Sequence, residues 1–282
     1  MDSNTFKTIG IGVAFSPNLK ANIFEAARLA VFMNSELVLI HVGAEEKQKK
    51  EKIEKHLVSF EEKELKSSIV FLPGSPVEII LSAIDKYSID LMVLGALKRE
   101  NFLKYYLGSI ARQITRQASC SILLLINPSV NRIPCNHIVV NGLKDPKTED
   151  TIQSAFFMGH KLSASKITVV EEVSQEEVNV KVDDDKTLRQ STIVRERLMI
   201  REKKRVEKLL QQIPEKYSNN ILVKSQPIFG KRGYSIGHYA QVVRADLLVM
   251  NAPKKTSFKD RLFPQDIEYI LGELPTDVLI VR

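Results

Sequence analysis

The sequence predicts an α/β fold made of two tandem, open, five-stranded parallel sheets with helices on both faces. Three observations lead to this prediction. Short apolar segments alternate with longer segments in which apolar residues recur at helical spacing. The short segments carry too few polar residues for either face to meet water, which is typical of parallel strands. The pattern of the first half of the chain also returns in the second half.

The composition is that of a soluble globular protein. Of the 282 residues, 44% are hydrophobic and 27% are charged, and the formal net charge is +7. No apolar run reaches the roughly 20 residues that cross a bilayer, and the N-terminus lacks a signal-peptide pattern. Cys120 and Cys135 form neither a disulfide framework nor a metal motif. We therefore expect a cytoplasmic protein that has no membrane interaction and requires no metal.

The first domain is predicted to span residues 1–128. A glycine-proline turn at 73–76 places Pro76 at the first position of a helix, where proline is favoured. A glycine, Gly95, ends the fourth strand. The expected strands are 8–14, 36–42, 68–72, 91–94 and 121–126. The first expected helix follows a cap at Ser16 or Asn18 and has an apolar stripe over 23–33. The other expected helices are 44–66, 77–87 and one that begins at 108–109 with apolar residues over 110–118.

A linker at 129–136 leads to a second domain, 137–282. Its long helix is predicted to bury a stripe that includes Leu188 and Val206. Two such units are expected to pack as a pseudo-twofold pair. The expected strands are 137–140, 166–173, 221–228, 246–250 and 277–281, and the expected helices are 148–162, 187–213 and 235–243.

The segment 91–126 holds the pattern with the clearest chemistry. Gly95 ends a buried strand, a basic loop follows, and Gly108 and Ser109 begin the next helix. This layout places backbone N–H groups and the positive end of a helix beside the carboxyl edge of a sheet. Such a place suits an anion, most often a phosphate.

On these residues the chain resembles the tandem universal stress proteins. Nucleotide-binding members carry G-x2-G-x9-G-(S/T) after the fourth strand. The four positions are Gly95, Lys98, Gly108 and Ser109 here, and all of them except Lys98 match the motif. The resemblance implies a Rossmann-like fold of the adenine nucleotide alpha-hydrolase type, with the domains paired through their fifth strands. It also implies ATP or a related adenine nucleotide at the carboxyl edge of the first sheet. The implied binding residues are Val42, Gly95, Lys98, Gly108, Ser109 and Ile110, with Val42 and Ile110 acting through their main chains.

The chain departs from the family pattern in both halves. Lys98 replaces the second glycine, where its side chain either blocks close approach of the backbone or serves as a cation for the phosphate. Ala14 stands where the family often has an aspartate beside the adenosine. In the second half no glycine of the motif remains, so that domain is expected to bind no nucleotide. The aligned residues there are Asn251, Lys254, Pro264 and Gln265.

Three classes of function remain after this reading. The first is a stress-response regulator that binds an adenine nucleotide, and the second is a nucleotide-independent interaction module with an unknown protein partner. The third, an ATPase, is disfavoured because there is no Walker motif, no carboxylate pair for magnesium and no nucleophile–base pair. We therefore expect no catalytic residues. The positive charge is spread over helices that also carry acids, which argues against nucleic-acid binding, and further homodimerisation stays open.

Overall fold

The computed structural model describes residues 6–98, 105–252 and 266–282. The chain divides into two compact units. The first contains Met1–Pro134 together with Leu271–Arg282, and the second contains Cys135–Ile270. The predicted domains, 1–128 and 137–282, stay a prediction. In the structure, the segment Leu271–Arg282 packs with the first unit although it lies at the end of the chain.

The strands and helices of the first half follow the predicted order closely. The predicted helix 44–66 is shorter than expected, because α-helix ends early and a 3-10 helix covers Val58–Lys63. The elements are β1 Thr8–Gly12, α1 Leu19–Met33, β2 Glu36–Val42, α2 Lys47–Leu57, β3 Ser67–Leu72, α3 Pro76–Lys86, β4 Leu91–Gly95, β5 Leu97–Lys98, β6 Tyr105–Tyr106, α4 Ser109–Gln117 and β7 Ser121–Leu125.

The second half adds two short helices, α7 and α9, which the sequence patterns did not indicate. Its elements are β8 His137–Asn141, α5 Thr148–Leu162, β9 Lys166–Ser174, α6 Asp185–Leu210, α7 Glu215–Ser218, β10 Leu222–Gly230, α8 Tyr234–Val242, β11 Leu247–Asn251, α9 Asp266–Gly272 and β12 Asp277–Val281.

The expectation of two five-stranded parallel sheets is wrong. The ten strands other than β5 and β6 divide as six and four, in the order β12-β7-β4-β1-β2-β3 in the first unit and β10-β9-β8-β11 in the second. The arrangement is also mixed rather than purely parallel, since β12 pairs antiparallel with β7. Both strands are apolar and almost wholly buried, and such strands carry no sequence signal for the direction of their partner.

The segment Leu271–Arg282 also holds α4 in place. The carbonyl oxygen of Leu271 accepts hydrogen bonds from Leu107 N at 3.2 Å and from Arg112 Nη2 at 3.0 Å. At the other end of α4, the Arg282 guanidinium donates to the carbonyl oxygens of Thr115 and Arg116, at 3.1 and 2.9 Å. A cation at the carboxyl end of a helix is favourably placed against the helix dipole.

The two units share a detail at the start of their first strands. The Asp90 carboxylate, just before β4, accepts hydrogen bonds from Lys7 N at 2.9 Å and Thr8 N at 3.0 Å. The Asp246 carboxylate, just before β11, accepts from the two matching amides, those of residues 136 and 137, at 2.8 and 2.9 Å. Each aspartate therefore fixes the start of the neighbouring strand in its own unit.

The predicted buried stripe of α6 is only partly correct. Val206 is fully buried, but Leu188 is 52% exposed. A helix of 26 residues is about 39 Å long, whereas the nine-residue strands β9 and β10 span only about 30 Å. The helix is therefore longer than these strands, and its first two turns bury no apolar side chain. Asp184 caps them, accepting a 2.7 Å hydrogen bond from Thr187 N.

Two glycines of β1 give a matched test of packing. A Cβ at Gly10 would lie 2.6 Å from Ile89 Cδ1 and 2.9 Å from Met92 Sδ, both on buried side chains, whereas a Cβ at Gly12 would meet nothing closer than 3.6 Å. We expect Gly10→Ala to lower the free energy of unfolding by about 1–3 kcal/mol, because the core must shift, and Gly12→Ala to change it little. Urea denaturation measures both; equal effects would contradict this packing.

Candidate functional site

The candidate site lies at the carboxyl edge of the first unit. The strands β1, β2 and β4 run parallel, so their carboxyl ends meet at one edge. After Gly95, β5 pairs with β6 as a hairpin in which Leu97 faces Tyr106. Gly95 lies two residues before the first strand of this hairpin, and Gly108 lies two residues after its second strand. The chain therefore returns to the sheet edge at the start of α4. The structure therefore brings together the end of β4 and the first residues of α4.

The start of α4 is open. Gly108 is its N-cap in an extended conformation, with φ −62° and ψ 161°, and no side chain caps the helix. Ser109 and Ile110 are exposed, Ile110 to 47%. Their amides have no hydrogen-bond acceptor within the described part of the chain. The backbone at Gly108 does not require glycine, because these angles are open to any residue.

Gly95 is exposed to solvent, but the side chain of Asn22 lies close to its Cα. A Cβ at this position would lie 3.2 Å from Nδ2 and 3.4 Å from Oδ1 of Asn22, in the first turn of α1. The Asn22 Oδ1 atom is buried and accepts no hydrogen bond from any described residue. Sequence reasoning missed Asn22, and the only signal was a polar residue beside the apolar stripe of α1. An unsatisfied buried acceptor at this place can take a hydrogen bond from a ligand.

The other predicted residues lie further along the same edge. Val42 ends β2, where it pairs with Leu72 and is half-buried. Because β1 lies between β2 and β4, Val42 is about 10 Å from the end of β4, a distance that a nucleoside can span. The backbone of Lys98 lies in β5, but its side chain and residues 99–104 fall outside the description.

An aromatic group lies between these two ends. His41 Nδ1 donates to the carbonyl oxygen of Val13 at 3.0 Å, at the end of β1. Its ring meets those of Phe15 and Phe71 edge to face, with centroids 4.9 and 5.4 Å apart. Sequence reasoning did not connect these rings, because they come from three separate segments of the chain.

The second unit has the same edge with different contents. The pairings of Thr8 with Glu36 and of His137 with Lys166 place Glu172 at the position of Val42. Glu172 is 5% exposed, and its carboxylate accepts hydrogen bonds from Gly233 N at 3.1 Å and Ile236 N at 2.8 Å. The carboxylate thus lies at the amino end of α8, where a bound anion would be favoured.

A second group of charges covers the end of β8. The Arg205 guanidinium donates to the carbonyl oxygens of Gly142 and Leu143 and, at 2.8 Å, to Glu202. Glu202 also accepts from Arg201 at 2.7 Å. Burial opposes the ionisation of Glu202, but the two arginine hydrogen bonds outweigh it and hold its pKa below the ordinary value. The chain's own charges therefore occupy this edge.

The position aligned with Gly95 is Asn251, the last residue of β11. Its Nδ2 donates to Thr148 Oγ1 at 3.3 Å, while its Oδ1 is buried without a partner in the described residues. The remaining aligned residues, Lys254, Pro264 and Gln265, fall outside the described ranges. The sequence did carry a signal for the charges at this edge, because Glu171 and Glu172 interrupt an otherwise apolar strand.

Within residues 6–98, 105–252 and 266–282, no group of three His, Cys, Asp or Glu side chains is placed to hold a metal ion. Over the same ranges, no helix has the length and apolar character that a bilayer span needs.

Comparison with known proteins connects the first unit to one family. Residues 5–125 match the Universal stress protein family. No curated protein sequence matches the chain. The family match covers β1 to β7, which includes the edge described above.

Solved structures resemble the chain over nearly its whole length. A protein of Pseudomonas aeruginosa UCBPP-PA14, provisionally named a universal stress protein, has a TM-score of 0.72 at 15% identity and covers 99% of this chain and 94% of its own. A universal stress protein of Archaeoglobus fulgidus DSM 4304 has a TM-score of 0.66 at 14% identity and covers 98% of each chain. At these identities the likeness shows the fold alone.

A universal stress protein in complex with cAMP is also similar in part. It covers 43% of this chain and 96% of its own, with a TM-score of 0.36 and 17% identity. This likeness is too weak to carry the ligand over to the present chain.

Glu171 gives a test that depends on pH. It is 1% exposed, Ser225 donates to one of its oxygens at 2.7 Å, and the other oxygen has no partner in the described structure. Burial raises the pKa of Glu171, against the opposing hydrogen bond from Ser225. The stability that this group contributes is therefore present below its unfolded pKa and is lost as pH rises through its folded pKa.

We expect Glu171→Gln to stabilise the protein relative to wild type at pH 8 and to have little such effect at pH 4. Urea unfolding at both pH values measures the difference, with the exposed Glu62→Gln as the control. A difference that is the same at both pH values would show that Glu171 does not titrate in this way.

Proposed function

We propose that the first unit binds ATP or a related adenine nucleotide at the carboxyl edge of β1, β2 and β4. The chain would then act as a cytoplasmic stress-response regulator without a catalytic role. The observation that carries the proposal is the meeting of Gly95 with the open start of α4 at one sheet edge. Exposed amides at the amino end of a helix favour a phosphate there.

The predicted residues take distinct roles in this proposal. The amides of Ser109 and Ile110 and the Ser109 hydroxyl bind phosphate oxygens, and Gly95 and Gly108 leave room for close approach. Lys98, which lies in β5 three residues after Gly95, supplies a cation for the phosphates. The main chain of Val42 contacts the adenine about 10 Å from the end of β4, which matches the extent of a nucleoside.

In the same proposal, the second unit is a structural partner that binds no nucleotide. Its support is the Glu172 carboxylate, which already holds two amides at the edge where Val42 lies in the first unit. The tandem arrangement of two universal stress domains, paired through their fifth strands, is part of this proposal. Further pairing into a homodimer is left open.

A second candidate function is a protein-interaction module that has lost ligand binding. The observation that favours it is the Asn22 side chain, which packs on Gly95 where a phosphate would need to approach. Under this alternative, binding of a protein partner is independent of nucleotide and of the residue at position 108.

Gly108→Val tests the proposed site. Because φ at Gly108 is −62°, valine fits the backbone, and its side chain fills the space beside the first amides of α4. We expect the affinity for ATP, measured by calorimetry, to fall at least about tenfold while the thermal unfolding midpoint stays close to that of wild type. Unchanged affinity would place the nucleotide elsewhere, and a wild-type protein with no binding below about 1 mM would favour the interaction module.

A further inference from the structure

The carboxyl end of β1 is met by cationic side chains. Ala14, two residues beyond β1, is exposed, and the half-buried Phe15 follows it. Above the Phe15 ring, the Nζ atoms of Lys52 and Lys49 lie 5.7 and 5.9 Å from the ring centroid. Two ammonium groups of α2 therefore lie over Phe15, three residues beyond the end of β1.

The surrounding charges leave Lys52 available. Lys49 pairs with Glu46 at 2.6 Å, whereas Lys52 has no ion pair in the described part of the chain. Lys52 also stands in a wider cationic field. Burial lowers the pKa of His56, and three neighbouring lysines lower it further: Lys20, Lys52 and Lys55. Lys52 thus has cationic neighbours, and no carboxylate of the described residues forms an ion pair with it.

The cationic side chains bear on how a ribose would be recognised at this place. In nucleotide-binding α/β folds, a carboxylate accepts hydrogen bonds from free ribose hydroxyls, whereas a cation at that place accommodates a phosphate on the ribose. The end of β1 offers Ala14, which has no acceptor side chain, and Lys52, which has three donors. These two features together favour a ribose that carries its own phosphate.

We infer that the ligand of this site is an adenine nucleotide with an additional phosphate on the 2′ or 3′ oxygen of its ribose. Lys52, assisted by Lys49, binds that phosphate, while the start of α4 binds the phosphate on the 5′ oxygen. The inference rests on the nucleotide site proposed above and adds the class of nucleotide that it prefers.

The test compares four ligands by calorimetry: AMP, ADP, adenosine 2′,5′-bisphosphate and adenosine 3′,5′-bisphosphate. ADP carries its second phosphate on the 5′ side. Comparison with ADP therefore distinguishes an effect of where the second phosphate is attached from an effect of its charge alone. We expect one bisphosphate to bind about fivefold or more tightly than AMP, and Lys52→Met to remove most of that gain. The same variant should leave the affinities for AMP and ADP within about twofold of wild type, since the inference assigns the 5′ phosphates to the start of α4 and not to Lys52.

Lys63→Met is the matched control. The Lys63 Nζ also lies over an aromatic ring, that of Phe60 at 5.2 Å, but at the opposite edge beside Thr8 and Glu36. If both bisphosphates bind no more tightly than AMP, or if Lys63→Met weakens them as much as Lys52→Met, the inference fails and the nucleotide site stands. If none of the four ligands binds, the proposed nucleotide site fails with it.

Discussion

The parallel hydrogen bonding of β1 between β2 and β4 is the constraint on which the candidate site depends. It aligns the ends of three separate segments at one edge, so that Val42, Ala14 and Gly95 come to share a surface although they are far apart in the sequence. The buried apolar side chains of these strands maintain the pairing, and Ile9, Leu39 and Leu91 are fully buried. The edge can vary in chemistry because its residues lie beyond this core.

Sequence patterns predicted most of the architecture, because strands that are buried on both faces appear in the sequence as continuous apolar runs. The strand Ser121–Leu125 and the helix Thr148–Leu162 were recognisable from apolar runs and periodicity. The same property hid the partner of β12, since a strand that is apolar on both sides can pair in either direction. At the site, the motif indicated Gly95 and Gly108, but Asn22 and Lys52 lie on helices whose side-chain contacts come only from tertiary packing.

The two units show how one scaffold supports opposite contents at the same edge. In the first unit, the start of α4 has no side-chain cap, so the amides of Ser109 and Ile110 have no acceptor within the described residues. In the second, Glu172 satisfies the amides at the start of α8, and Arg205 satisfies the carbonyl oxygens at the end of β8. A carboxylate fixed by two buried amides takes the role that a bound anion would otherwise have. These amides and carbonyl oxygens therefore have partners without any ligand.

The segment Leu271–Arg282 has a consequence for the synthesis of the protein. It supplies β12 to the first unit and fastens α4 through Leu271 and Arg282, yet it follows the whole second unit along the chain. On the ribosome, the amino-terminal unit therefore emerges without one strand of its sheet and without the contacts that hold α4. It reaches its final form only after more than a hundred further residues have been translated, so its completion is delayed by a contact of long sequence separation.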